Sequence, residues 1–171
     1  MKLAEALQER ADLKRTLNNL KERLQRVTLV QEGEKPAEDP QELLRIQNAC
    51  FQRMEYLIAA INHSNDVIRV NGLTLTQLIA KKDVLLMKLA AYKNVIRDAG
   101  SSTSRARGTE IRILPTVKAA ELQAEADRMS REIRTLDNLL QETNWTKDLI
   151  EYESRREQPG KTDEMYNGKK D

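Results

Sequence analysis

Apolar residues recur along this chain at alternating steps of three and four, and the most regular of these stretches lies between residues 117 and 150. This heptad spacing predicts a long helix with one seam buried against other helices. The same stretch contains the single tryptophan, Trp145. The seam consists of Leu122, Ala126, Met129, Ile133, Leu136, Leu140 and Thr143.

Three earlier stretches carry the same spacing and predict three further helices. The first spans about residues 2 to 30 and includes one charged seam residue, Arg10. The aliphatic part of Arg10 can lie on the core while its guanidinium reaches water, or the side chain can fix the register against a partner helix. The second begins at Asp39-Pro40, because Asp39 can cap a helix and Pro40 suits its first position. The third can be capped by Thr74 or Thr76. The seams are Leu3, Ala6 or Leu7, Leu13, Leu17, Leu20, Leu24 and Val27; then Leu43, Gln47, Cys50, Met54, Leu57 and Ile61; then Leu75, Leu78, Lys82, Leu85, Leu89, Tyr92 and Ile96.

The apolar stripe of the second helix is unusually broad, because Leu44, Phe51 and Ile58 lie beside its seam. A stripe of this width can face two neighbouring helices, which favours a bundle over a two-stranded rod. With short connections, the sequence therefore predicts an all-α fold of four long antiparallel helices, a coiled-coil-like bundle of up-down-up-down topology.

Two connections carry short β-like arms. Val67 to Val70 is rich in β-branched residues, and the following Asn71-Gly72 favours a tight turn with positive φ. Between the third and fourth helices, Thr109 to Leu114 alternates polar and apolar residues, and Thr116 is placed to cap the last helix. The two arms should lie at opposite ends of a straight bundle, so we expect at least one of them to pair with another protomer of a homo-oligomer.

Chain length, composition and net charge indicate one domain and exclude several classes of protein. We expect a single helical domain over residues 1–153, followed by a polar, disordered tail over residues 154–171. The 29 basic and 27 acidic residues give a formal charge of +2, so no strong field favours nucleic acid. The chain has no apolar run long enough to span a membrane and begins directly with a charged amphipathic stretch, so we expect a cytoplasmic protein.

Metal and cofactor chemistry find little support in the sequence. A di-iron bundle needs two Glu-x-x-His motifs, whereas the one histidine, His63, follows Ala60 at that spacing. Cys50 is the single cysteine, so neither an internal disulfide nor a zinc finger is expected. Nucleophile and phosphate-loop motifs are also missing from the sequence. We therefore expect no cofactor and assign no catalytic residue.

Two polar clusters remain as a candidate ligand site. The polar end of the second helix could form a small-molecule or anion pocket, or it could satisfy the carbonyl groups of its own helix end. Arginines around the Gly/Ser-rich loop after the third helix could bind an anion or phosphate, or form ion pairs between subunits. In an oligomer the two clusters could meet in a pocket shared between protomers. The candidate residues are Asn62, His63, Asn65, Arg105, Arg107 and Arg112.

A polar line on the last helix is the candidate subunit interface. Asp137, Gln141 and Asn144 recur at steps of four and three beside the seam, and the line ends at Trp145. Tryptophan is enriched at binding hot spots, but Trp145 could equally cover the core of the bundle itself. The leading interpretation is a homo-oligomeric structural or protein-interaction module, and the alternative is an oligomeric ligand-binding protein or enzyme.

Several short motifs together resemble a small bacterial family labelled septicolysin-like, over about residues 1 to 150. The resemblance implies a helical cytoplasmic protein of unknown role, without established catalytic residues. The label suggests a membrane-active lysin, but the single Phe and single Trp argue against a lytic helix. The matching positions are Ile61-Asn62 with Asn65, Gly72 with Thr74-Leu75, Lys82-Asp83, Glu110-Ile111, Thr116-Val117, Leu136-Asp137, and Gln141 with Asn144-Trp145.

Overall fold

The computed structural model describes residues 1–101 and 114–151, and within these ranges the protein consists of four long α-helices and one small β-hairpin. The all-α fold class is therefore confirmed. The predicted strand at Thr109 to Leu114 lies almost wholly outside the described residues, as does the predicted tail over residues 154–171. The elements are α1 (Leu3–Val27), α2 (Pro40–Val67), β1 (Arg69–Val70), β2 (Leu73–Thr74), α3 (Leu75–Ser101) and α4 (Ala119–Thr146).

Local capping chemistry explains where α2 and α3 begin. Asp39 caps α2 as predicted, since its Oδ1 accepts a hydrogen bond of 2.9 Å from the Gln41 amide. Before α3, Thr74 and Gln77 cap each other: the Gln77 amide donates to Thr74 Oγ1 at 3.2 Å, and the Thr74 amide donates to Gln77 Oε1 at 2.9 Å. The prediction that Thr116 caps α4 is wrong, because that helix begins only at Ala119.

The arm between α2 and α3 is a two-stranded hairpin. Its strands β1 and β2 are antiparallel, with Arg69 opposite Thr74 and Val70 opposite Leu73. Both residues of the turn have positive φ, 52° at Asn71 and 82° at Gly72, as the Asn-Gly dipeptide predicts for a tight hairpin turn. This arm therefore pairs within its own chain.

The helices pack as two hairpins that share a core at one end. Helix α1 lies along α2, and α3 lies along α4. The shared core, here called the joint core, forms where α1 and α3 begin and where α2 and α4 end. Its apolar side chains come from all four helices and are excluded from solvent. They are Leu3, Ala6, Leu57, Ile61, Leu75, Leu78, Leu136 and Leu140.

Away from the joint core, each hairpin has a smaller core of its own. Leu20, Val27 and Leu43 form the buried cluster between α1 and α2. A separate cluster between α3 and α4 contains Leu89, Ala126 and Met129. These two clusters have no residue in common, so the distal halves of the two hairpins are stabilised independently.

The predicted seams describe these contacts well. On α4, Ala126, Met129, Leu136, Leu140 and Thr143 are all buried. The charged member of the α1 seam, Arg10, is half-buried, as expected for a side chain whose stem lies on the core and whose head reaches water.

Backbone hydrogen bonds close the structure beside the joint core. The Leu3 amide donates to the Lys147 carbonyl at 3.0 Å, and the Leu149 amide donates to the Met1 carbonyl at 2.9 Å. The Ile150 amide then donates to the buried hydroxyl of Ser64 at 2.8 Å. The segment that follows α4 is thereby fixed to the start of α1 and to the end of α2.

Ion pairs beside the seams reinforce each hairpin. Arg53 on α2 binds Glu9 on α1 in a bidentate geometry, with Nε–Oε1 at 2.7 Å and Nη2–Oε2 at 2.8 Å. Between α3 and α4, Lys82 donates to Asp137 at 2.9 Å. Bidentate arginine–carboxylate pairs are the stronger kind, because two parallel hydrogen bonds fix the geometry.

Replacing Leu57 by Ala should lower the free energy of unfolding by about 2–5 kcal/mol, because Leu57 is fully buried in the joint core and its truncation leaves a cavity. The neighbouring Ile58 is 42% exposed, so Ile58→Ala should cost under about 1 kcal/mol and serves as the matched control. Urea denaturation followed by circular dichroism measures both. Equal losses in the two variants would contradict the assignment of the joint core.

Replacing Glu9 by Gln should reduce stability at neutral pH but not at acidic pH. The Arg53 hydrogen bonds lower the pKa of Glu9, against the opposing effect of burial. A carboxylate with a lowered pKa contributes stability above its unfolded-state pKa of about 4.3, and this contribution is lost as pH falls through its folded-state pKa. The pair is partly solvated, so we expect a loss of about 0.5 kcal/mol at pH 7.

The measurement is urea denaturation of both proteins at pH 7 and at about pH 3, where the two curves should converge. The exposed Glu55 on α2 supplies the control, since Glu55→Gln should change stability at neither pH. A difference between wild type and Glu9→Gln that persisted or grew at acidic pH would refute this account of the pair.

Candidate interaction surface

The polar end of α2, predicted as part of a ligand site, takes part in the connection between α2 and α3. Asn62 is exposed, whereas His63 and Asn65 are half-buried. Asp66 accepts a hydrogen bond of 2.6 Å from the hydroxyl of Thr76 at the start of α3. The fully buried polar residue here is Ser64, which holds Ile150 and which the sequence did not single out as a site residue.

The other predicted ligand contacts, Arg105, Arg107 and Arg112, lie outside the described residues. Within residues 1–101 and 114–151, no group of three or more His, Cys, Asp or Glu side chains is arranged to hold a metal ion. Over the same ranges, none of the helices has the length and apolar character required to cross a bilayer.

The predicted interface line on α4 is partly engaged within the chain. Asp137 accepts hydrogen bonds from Lys82 at 2.9 Å and from the side-chain amide of Gln141 at 2.8 Å. The Lys82 ammonium is the main cause that lowers the pKa of the Asp137 carboxyl. Asn144 is half-buried, and Trp145 is 65% exposed. Asp137 thus joins α4 to α3, and Gln141 bonds to Asp137 within α4. Gln141 and Trp145 are the exposed members of the line.

An apolar surface that the sequence did not predict lies on α3. Five residues on one side of this helix are apolar and exposed, with Val84 at 58% and Met87 at 66%. They recur at steps of four, three, four and four, and at about 100° per residue they lie on the side opposite the seam that faces α4. We call these residues the outer stripe: Ala80, Val84, Met87, Ala91 and Val95.

With the outer stripe, α3 is apolar on two opposite sides. A helix that is apolar all round is normally enclosed by other elements. Here one side packs on α4 through Leu89, Tyr92 and Ile96, while the outer stripe is open to solvent. The outer stripe is visible in the sequence as a second series of apolar residues spaced three and four positions apart, offset from the series that forms the α3 seam.

A weaker apolar row lies on α2. Leu44, Phe51 and Ile58 were predicted to face a second helix of the bundle, but they are 40%, 51% and 42% exposed. This prediction is wrong because, within the described residues, the distal halves of the two hairpins share no core, and at the joint core α2 contributes Leu57 and Ile61 instead of Ile58. The row is also interrupted, since the polar residues Asn48 and Glu55 lie between its members.

Two surface grooves offer little that could recognise a ligand. A groove of about 360 Å³ beside α1 contains Arg15 and Arg23, but these arginines are already paired with Asp12 and Glu38. Another of about 320 Å³ lies between Val95 and the segment 114–117, and apolar side chains form most of its wall. The outer stripe is therefore the stronger candidate for a functional surface.

Comparison with known proteins agrees with a helical protein whose role is not assigned. A crystal structure of a functionally unknown conserved protein from Corynebacterium diphtheriae superposes on this chain with a TM-score of 0.79 and 35% sequence identity. The alignment covers 87% of this chain and 98% of that one. No curated protein matches the chain.

The family comparison supports the general part of the resemblance drawn from the sequence and not the septicolysin-like label. Residues 10–149 match a single family whose description states that its function is unknown. Because this match covers most of the chain, the protein belongs to DUF6847, a family of unknown function.

Proposed function

We propose that this protein is a homo-oligomeric structural or interaction module and that copies associate through the outer stripe of α3. The observation that carries the proposal is the exposure of Val84, Met87 and Val95 in one continuous row on a helix whose other side is already packed. A contiguous exposed apolar patch is often a functional surface, and one larger than a few hundred Å² marks an interaction site.

The outer stripe leaves apolar side-chain area in contact with water. Each Å² of apolar surface removed from water contributes about 25 cal/mol. The row from Ala80 to Val95 is about 22 Å long at the helical rise of about 1.5 Å per residue. A helix face of this length and about 10 Å wide covers about 220 Å² per copy, or about 440 Å² for two copies. This area is below the range of about 1,200–2,000 Å² that stable specific interfaces bury, so we expect a weak and reversible oligomer.

A second copy of the chain is the occupant that fits the outer stripe best. A two-fold arrangement covers the stripes of both copies in one contact, and two-fold dimers are the commonest form of soluble oligomer. Ala80 and Ala91 have small side chains, which allow the backbones of two helices to approach closely. The absence of large side chains at these positions suits helix-to-helix contact better than insertion of an aromatic anchor into a pocket.

The alternative, a ligand pocket shared between protomers, has less support. Ser64 and Asp66, which alternate with the candidate residues His63 and Asn65 at the end of α2, already bond within the chain to Ile150 and Thr76. Groups that bind a ligand would need hydrogen-bonding capacity beyond that used by the fold.

Replacing Met87 by Lys should convert the oligomer into a monomer, because a lysine ammonium in the centre of the contact cannot be buried without a partner. The matched control is Leu86→Lys, which makes the same change at the next residue, where the side chain is 45% exposed but lies off the outer stripe. Circular dichroism should show unchanged helix content in both variants.

The measurement is the mass in solution by size-exclusion chromatography with light scattering, at about 100 µM for a contact of this size. Wild type and Leu86→Lys should give at least twice the chain mass of 19.7 kDa, and Met87→Lys should give 19.7 kDa. A wild-type protein that stays at the chain mass at this concentration would overturn the proposal.

A further inference from the structure

We infer that two copies pair α3 with α3 in parallel about a two-fold axis, with Asp83 of each chain opposite the partner's Lys88. This inference rests on the proposed function, since it specifies the geometry of the same contact. It follows from the charges that flank the outer stripe and from the residue types within it.

Four of the five residues of the outer stripe fit the core positions of a heptad. Ala80 and Met87 occupy position d, Val84 and Ala91 occupy position a, Asn94 takes the next d position, and Val95 lies beside it at position e. The residues on the two flanks, positions e and g, are the ones that form ion pairs between helices. Asp83 is at position g and Lys88 at position e, and both are exposed.

The flanking charges distinguish a parallel contact from an antiparallel one. In a parallel two-stranded coil, each g residue lies opposite the e residue five positions later on the other helix. Asp83 then meets the partner's Lys88, and the two-fold axis makes this favourable pair twice. In an antiparallel coil, e faces e and g faces g, so Lys88 would face Lys81, its own copy or Val95, and the basic g residue that Asp83 could face is Arg97. Arg97 already lies 3.4 Å from Asp98. The parallel arrangement pairs Asp83 with Lys88 twice and avoids opposing lysines, so the charge pattern favours it.

The intrachain contacts leave Asp83 and Lys88 available for this pairing. Lys81, the other basic residue on the e flank, is directed to α4 by its ion pair with Glu132 at 2.7 Å. The Lys88 ammonium lies over the Tyr92 ring at 5.5 Å, and a cation–π contact at an exposed site is weak enough to be exchanged for an ion pair. Asp83 makes no ion pair with any residue in the two described ranges.

The core residues agree with the same geometry. A β-branched residue at position a, such as Val84, favours two-stranded parallel coils. About a parallel two-fold axis, Asn94 lies opposite its own copy, where the two side-chain amides can hydrogen-bond to each other. A polar asparagine in an apolar seam sets register in this way, because misaligned helices leave its amide unpaired.

Charge reversal tests this geometry. Asp83→Lys and Lys88→Asp each turn both ion pairs into repulsive contacts, so each should weaken the dimer at least about tenfold. The double variant restores opposite charges with their places exchanged and should return the dissociation constant to within a few-fold of wild type. Lys93→Asp reverses an exposed charge elsewhere on α3, and this control should leave the constant unchanged.

Sedimentation equilibrium at low salt measures the dissociation constants of wild type and the four variants, and thermal melts verify folding. If wild type dimerises but neither single reversal weakens it, or the double variant is weaker than both, the parallel register is wrong while the proposed self-association stands. A monomeric wild type would overturn both the register and the proposed function.

Discussion

The joint core is the contact on which the arrangement of this protein depends. Each helix contributes one end to it, and there the side chains of Leu3, Leu57 and Leu75 are almost fully removed from water. Beside it, Ser64 binds the backbone of Ile150, and the segment after α4 pairs with the first residues of the chain. Loss of apolar volume in the joint core would therefore loosen both hairpins together, since beyond it each hairpin has its own small cluster.

This uneven packing explains why apolar faces remain exposed. In a bundle whose helices share one core along their whole length, the broad row on α2 and the outer stripe on α3 would each have a neighbour. Here the distal halves of the hairpins share no core, so Phe51 and Met87 are more than half exposed. The proposed oligomer follows from this, because a second copy supplies the helix that the chain itself does not place against α3.

Local signals in the sequence predicted the elements well because they depend on near neighbours. The cap at Asp39, the turn at Asn71-Gly72 and the seam through Met129 and Leu136 each follow from backbone geometry or helical periodicity. These features do not require knowledge of which helix lies alongside.

What could not be predicted depends on how the helices are placed and rotated relative to one another. Periodicity shows that a face is apolar, but it does not identify the element that covers it, so Ile58 was assigned a neighbour that the chain does not provide. The polar line on α4 that begins at Asp137 was predicted to form a subunit contact, whereas the rotation of α3 brings Lys82 within 2.9 Å of Asp137. The second repeat on α3 was missed because the first seam already accounted for a helix.

Disulfide trapping at Met87 tests the central claim most directly. With Cys50, the one native cysteine, replaced by Ser, Met87→Cys places a single thiol at the centre of the proposed two-fold contact. A disulfide needs Cα atoms within about 4.4–6.8 Å of each other, and a parallel pairing at this position meets that requirement. The account predicts that mild oxidation converts Met87→Cys into a covalent dimer and leaves the Leu86→Cys control monomeric. Equal, slow cross-linking of the two variants would contradict it.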